Sequence, residues 1–306
     1  MLHYILALLI VTNFAPDGAF KTLQKKMNKD APPGTVWVRD SLYMDATEIT
    51  NVEYREYMHW LSGKMDKNNS IYRDALPDTL VWRSESAYNE PFVEIYFRHP
   101  AYSNYPLVGV SYDQAVDYCI WRSNMVNENI YRKLNKMEIT DPVDPEEIPE
   151  YVRYRLPSKE EWEYAARGGL KENDFPWGGY YIDNYKGIDQ ANYNGIGDEW
   201  IFYNDSLKAY QIMPDRIEPV TINNISNLCA PVHSYSPNGY GIYEICGNVA
   251  EMVAEKGIVK GGSWKLPGYH LRIIVDGKYH KPENDIGFRC ACDVLIAVKD
   301  RQAEKR

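Results

Sequence analysis

The chain is short of positive charge. Its 306 residues carry 34 Lys and Arg against 43 Asp and Glu, a formal charge of −9, and the pI is about 5.3. A polyanion would be repelled, so nucleic acid is excluded as the main partner, and no basic stripe offsets this balance. The closing residues 297–306 mix both signs and read as a solvated tail. Long apolar runs are also missing. The stretch from Met1 to Val11 is too short to span a bilayer, yet it matches the apolar core of an export signal, so residues 1–20 are expected to act as one. No Lys or Arg precedes that stretch and no Cys stands near Ala15 to Phe20. A lipoprotein-type anchor is therefore unsupported, and membrane association is left open.

Cysteine is sparse and unpaired in sequence. Cys119, Cys229, Cys246, Cys290 and Cys292 show neither the CxxC spacing of a zinc site nor the density of a disulfide framework. Cys290 and Cys292 are too close for a relaxed bridge to each other, and one long-range disulfide with free buried thiols fits an exported domain. The six histidines form no H-x-x-x-H-x-E run that would gather a metal on one helix face. No repeat and no low-complexity tract breaks the chain, so residues 32–296 read as one domain.

What is abundant is tyrosine, with 26 copies. A tyrosine buries its ring while its hydroxyl finds water or a backbone partner, which suits irregular, aromatic-packed loops. Three helices are predicted from capping boxes followed by apolar stripes. Thr50-x-x-Glu53 opens the first, with Tyr54, Tyr57, Met58 and Leu61 on one face. Ser111-x-x-Gln114 opens the second, with Ala115, Tyr118, Cys119 and Trp121, and a stripe cut short at Arg122. Ser158-x-x-Glu161 opens the third, which carries Trp162, Ala165 and Ala166 and stops at Gly168-Gly169. Between the first two, residues 66–105 show little periodicity beyond Thr79-Leu80-Val81-Trp82 and read as an insertion. Residues 138–150 read as an acidic, solvated loop. After Gly169 the chain turns rich in Gly, Asn, Tyr and Pro, and only short strands are expected, at 257–260 and 271–275.

Four segments in order carry a family resemblance. They begin at Tyr43-Met44-Asp45-Ala46-Thr47-Glu48-Ile49-Thr50-Asn51, at Arg155-Leu156-Pro157-Ser158, at Asn238-Gly239-Tyr240-Gly241 leading to Cys246-Gly247-Asn248-Val249-Ala250-Glu251, and at Lys260-Gly261-Gly262-Ser263-Trp264 with Gly287-Phe288-Arg289-Cys290-Ala291. Together they resemble the formylglycine-generating enzyme, or sulfatase-modifying factor, family. That resemblance implies an α+β single domain related to C-type lectins, with little regular secondary structure. The family's N-terminal strand motif is missing before Val36-Trp37-Val38.

The resemblance also implies an active site, and here the sequence departs from it. The enzymes place two cysteines after the Gly-Gly-Ser-aromatic turn, and those positions hold Leu266 and Leu271, while Ser263 is retained. An alkyl side chain cannot ligate copper or form a mixed disulfide, so no copper is expected. The iron-dependent sulfoxide synthases resemble the same fold, but their histidine cluster is missing. The resemblance further implies a calcium site at Glu244, Gly247, Val249 and Glu251, a set of hard oxygen donors. A weaker second calcium site would use Asn192 and Tyr193, with its other ligands in residues 196–228. Cys119 and Cys290 align with a pair that is disulfide-bonded in some members.

The insertion narrows the reading. Leu76-Pro77-Asp78-Thr79-Leu80-Val81-Trp82-Arg83, the run from Tyr88 to Tyr102, and Tyr105-Pro106-Leu107-Val108-Gly109-Val110-Ser111 resemble gliding-motility and type 9 secretion lipoproteins. Those are envelope components that form rings or scaffolds with partner proteins. The resemblance thus implies a non-catalytic periplasmic or envelope scaffold that binds other cell-envelope proteins. Two other readings stand beside it: a formylglycine-generating-like oxidoreductase acting on a protein cysteine, and a lectin-like module with a ligand cleft near Trp264, Tyr269 and His270.

Overall fold

A four-stranded antiparallel sheet joins the two ends of the domain. The computed structural model describes residues 27–84, 88–195, 201–204, 206–212 and 228–295, so the expected export signal and charged tail lie outside them. Strands β1 (Thr35–Arg39), β2 (Leu42–Asp45), β3 (Val152–Arg155) and β10 (Ala291–Val294) align in the order β1-β2-β10-β3. Ala291 sits between Met44 and Arg155, and Cys292 between Tyr43 and Tyr154. The last strand is therefore interior to the sheet.

The three capping boxes form as expected. Helix α1 (Asn51–Lys64) buries Tyr54, Tyr57, Met58 and Leu61. Helix α4 (Tyr112–Asn135) runs for 24 residues, well beyond the predicted end of its apolar stripe. Arg122 does not end the buried face. It is itself buried and donates from Nη1 to Asp45 Oδ2 at 2.7 Å, so an ion pair continues what the apolar stripe began. One turn on, Ser123 and Asn127 of α4 cover the outer edge of β3. Asn127 Oδ1 accepts the N–H groups of Tyr151 and Val152, its amide donates to Val152 O, and Ser123 Oγ accepts from Tyr154 N. An exposed strand edge invites pairing with another chain, and here helix side chains satisfy it.

Helix α5 (Lys159–Ala166) ends before Gly168 and Gly169, both at positive φ. A short hairpin pairs β4 (Ile201–Asn204) with β5 (Ala209–Ile212). A second sheet has the order β8-β7-β6-β9, from β6 (Ala250–Met252), β7 (Ile258–Lys260), β8 (Gly277–Lys278) and β9 (Ile286–Gly287). Strand β7 lies within the predicted 257–260. The strand predicted at 271–275 does not form: Gly268–Leu271 is a 3-10 turn, Ile273 N donates to Asp174 O and Val275 N to Arg272 O. Leu271 and Ile273 are buried while Arg272 and Ile274 are exposed, so the alternation of a strand is present without its ladder.

The 66–105 segment is more structured than its sequence suggests. It holds α2 (Ser70–Asp74), a 3-10 turn at Thr79–Trp82 and α3 (Glu90–Ile95). Trp82, Val93 and Tyr96 from this segment share a core with Val108, Cys229 and Val249. The insertion is thus packed onto the back half of the domain. Residues 138–150 are mostly exposed, with a 3-10 turn at Pro145–Glu147. Among the described residues no helix is long and apolar enough to cross a membrane.

Candidate functional site

The Lys-Gly-Gly-Ser-Trp turn leaves β7 and fixes the position where the family's chemistry would lie. Gly261 and Gly262 both have positive φ, and a Cβ on Gly262 would meet His270 O at 2.8 Å, so only glycine lets the two segments approach. Lys260 is buried, with Nζ at 2.9 Å from both Glu163 Oε1 and Asp276 Oδ1. Ser263 Oγ donates to Asp285 Oδ2 at 2.6 Å, and Lys265 Nζ contacts the other oxygen at 3.0 Å. Among the described residues the hydroxyl of Ser263 bonds no imidazole, and its partner Asp285 is also ion-paired with Lys265.

Leu271 is fully buried in the core that includes Trp162, Ile245 and Ile273, whereas Leu266 is half-buried and its carbonyl accepts from Asn194 N at 3.0 Å. Neither side chain brings a donor atom to the position of the family's cysteine pair. Trp264 packs against the core shared by Trp82, Val93 and Tyr96, and its indole stacks on that of Trp82 from the insertion. Tyr269 is about half exposed and contacts His270 edge-on, with Arg272 over its ring. No ring contact among the described residues joins Trp264 to Tyr269 or His270.

The predicted calcium ligands lie at a buried charge centre. Glu244, Gly247 and Asn248 all have positive φ, which turns the chain sharply here. Glu251 is clasped by Arg289: Nε lies 2.8 Å and 2.9 Å from its two oxygens and Nη2 lies 2.6 Å from Oε1, while Trp162 Nε1 donates to Oε2 at 2.7 Å. Arg289 also donates to Asp45 O and Tyr243 O. Burial works against the arginine's charge, but Glu251 beside it holds its pKa above the ordinary value. The two oxygens of Glu244 accept the N–H groups of His233 and Tyr235, and burial raises its pKa. Both carboxylates are thus committed to protein donors, one of them to a cation. Among the described residues no three of His, Cys, Asp or Glu are grouped to share a metal ion. A calcium ion here would have to take Glu251 from Arg289 and Glu244 from the N–H groups of His233 and Tyr235. Asn192, of the weaker second site, donates instead to Leu228 O and Asn248 Oδ1. Much of the segment expected to complete it, in residues 196–228, lies outside the described residues.

Sequence reasoning missed Glu48. It is fully buried, Oε1 accepts from Asn248 Nδ2 at 2.9 Å, and Oε2 has no hydrogen-bond partner among the described residues. Burial first, and then the neighbouring Glu244, raise its pKa well above the ordinary carboxylate value. Nothing local marks it, since Asp45, Thr47 and Thr50 stand beside it in sequence.

Cys119 Sγ and Cys290 Sγ lie 3.4 Å apart, both buried. That separation exceeds a disulfide bond of ~2.05 Å, so the two are adjacent thiols.

The model of the sulfatase-modifying factor enzyme 1-like domain matches residues 12–294. The chain belongs to that family. Sulfatase-modifying factor relatives include the formylglycine-generating enzyme of Mus musculus, 25% identical over 89% of this chain and 71% of that one. The inactive C-alpha-formylglycine-generating enzyme 2 of Bos taurus is 24% identical over 81% and 76%. The chaperone protein LppX of Paenibacillus barcinonensis is 31% identical over 57% and 64%. Among solved structures, Treponema denticola variable protein 1 covers 82% of this chain and 84% of its own at 16% identity and a TM-score of 0.46. A relative named as an enzyme and one named inactive are equally near in identity, so family membership leaves activity to be decided by the residues of the site.

Proposed function

We propose that this protein is a non-catalytic member of the sulfatase-modifying factor family that serves as a scaffold for other cell-envelope proteins, in an assembly of the gliding-motility or type 9 secretion kind. The observation that carries the reading is the pair Leu266 and Leu271 at the positions of the family's two cysteines. Leucine offers no lone pair for copper and no sulfur for exchange with a substrate cysteine. The packing of Trp82 against Trp264 supports the same reading, because the insertion is seated on the aromatic that follows Ser263. Relatives named as inactive and as a chaperone show that non-catalytic names occur within the family's range. The periplasm or cell envelope is the compartment this role requires.

Two measurements test the proposal. Purified protein with copper and oxygen is offered a cysteine-containing sulfatase peptide; no aldehyde is expected, and its formation would overturn the non-catalytic claim. Cross-linking and affinity capture from envelope extracts should recover a stoichiometric complex with one or more envelope proteins. Recovery of the chain alone would remove the scaffold role.

A further inference from the structure

We propose that the loop of residues 177–190 is a docking surface for an arginine-bearing segment of a partner protein, held by stacking of guanidinium groups on Tyr180, Tyr181 and Tyr185. The inference rests on the scaffold reading and gives that scaffold's partner a chemistry. The three tyrosines are 85%, 76% and 93% exposed, and Ile188 beside them is also exposed. Apolar rings gathered in water on one short loop gain nothing from packing, which marks a surface for interaction. The backbone under them is fixed. Asp183 and Asp189 pair across an antiparallel bridge. Asn184 N donates to Ile188 O at 2.9 Å, and Asn184 Oδ1 accepts from Lys186 N and Ile188 N. At the base, Ile182 packs against the core that holds Leu271, and Trp177, stacked on Phe175, donates from Nε1 to Tyr181 O. Rings presented from a pre-formed loop lower the ordering cost of binding.

Composition and charge point to the occupant. Tyrosine set among glycine and asparagine, here Gly178, Gly179, Asn184 and Gly187, is the make-up of protein-binding loops, where rigid rings supply contact area at low entropy cost. From Leu170 to Gln190 the chain carries Lys171 and Lys186 against Glu172, Asp174, Asp183 and Asp189. That balance favours a cationic partner over an anionic one. Asp183 and Asp189 face each other as like charges across the bridge. Burial first, and then the charge of Asp183, raise the pKa of Asp189. An incoming cation therefore relieves a repulsion already present. Lys186 Nζ lies 5.5 Å from the ring centroid of Tyr185, so a cation is already seated within stacking range of one ring. Arginine suits these rings better than lysine, because its planar guanidinium stacks on an aromatic face and is weakly hydrated.

The test titrates the full-length chain with fluorescent nona-arginine and nona-lysine at physiological salt, where bare attraction to a chain of charge −9 is damped. Nona-arginine should bind several-fold more tightly than nona-lysine. Tyr180→Ser, Tyr181→Ser and Tyr185→Ser combined should weaken its binding about tenfold. Tyr88→Ser, at an equally exposed ring in the insertion, should leave it unchanged. The three side chains are exposed, so the triple variant should keep the wild-type Tm; should it fail to fold, Asp183→Asn, expected to weaken nona-arginine binding several-fold, decides. Equal affinity for the two peptides, or nona-arginine binding that survives the substitutions, would overturn the proposal. So would binding of a chito-oligosaccharide that is lost in the triple variant while nona-arginine binding is kept, since the rings would then be a glycan platform. Capture from envelope extracts separates this claim from the scaffold. A stoichiometric complex that the triple variant retains would overturn the docking surface and leave the scaffold standing, whereas no complex with the wild type would remove the scaffold and leave the peptide titration to decide the loop.

Discussion

The indole of Trp82 lies nearly parallel to that of Trp264, with ring centroids 6.4 Å apart and an interplanar angle of 11°. Trp82 is 2% exposed and also packs against Phe92 and Tyr96. The residue thus couples the insertion to the turn that follows Ser263. Trp82→Ala should lower unfolding free energy by about 3–5 kcal/mol, the usual cost of emptying a large aromatic site. Urea unfolding followed by far-ultraviolet circular dichroism measures this, and a change under 1 kcal/mol would show that the insertion is seated by other contacts.

Glu251 is predicted to act as the partner of Arg289 and not as a metal ligand. Glu251→Ala should cost about 3–5 kcal/mol, because it strands a buried guanidinium. Addition of a chelator to the wild type should leave Tm unchanged. A fall in Tm on chelation, reversed by calcium, would instead show that Arg289 yields its carboxylate to an ion.

Glu48 gives a pH dependence with a definite sign. Its folded-state pKa is raised, by burial and then by Glu244, so the folded state holds the proton more tightly than the unfolded chain does. The stability tied to that proton is full below the unfolded carboxyl pKa of about 4.3 and is lost as pH rises toward the folded value. Glu48→Gln keeps a neutral group of the same shape. Its stability should fall less with rising pH than the wild type's, as measured by denaturant melts from pH 4 to pH 9. Parallel curves would show that Glu48 titrates normally.

Asn127 and the edge of β3 give a fourth mutational test. Asn127→Leu removes the acceptor for two N–H groups and the donor to one carbonyl, at about 1–3 kcal/mol for each group left unsatisfied in the interior. Asn127→Asp keeps the acceptor and should cost less. Equal effects of the two substitutions would mean that packing and not hydrogen bonding matters at this position.

Much of the front half was legible because its signals are local. A capping box needs only residues three apart, and Thr50, Ser111 and Ser158 each form one. Arg122 and Glu48 were not legible for the opposite reason. The partner of Arg122 is Asp45, 77 positions away, and the amide that meets Glu48 belongs to Asn248, 200 positions away. The stacking of Trp82 on Trp264 was hidden on similar grounds, since the two lie far apart in sequence. At 271–275 a local signal misled, because successive turns that cross a core can alternate in burial without forming a strand.

The place of β10 inside the first sheet bears on how the protein is made. Its flanking strands, β2 and β3, have no bond to each other without it, and Arg289 just ahead of it joins Asp45 to Glu251. A nascent chain emerges from its amino end, so this sheet cannot close until Ala291–Val294 has been synthesised. Pairing at such sequence separations is slow. The delay leaves the edge of β2 in need of protection until the last strand arrives.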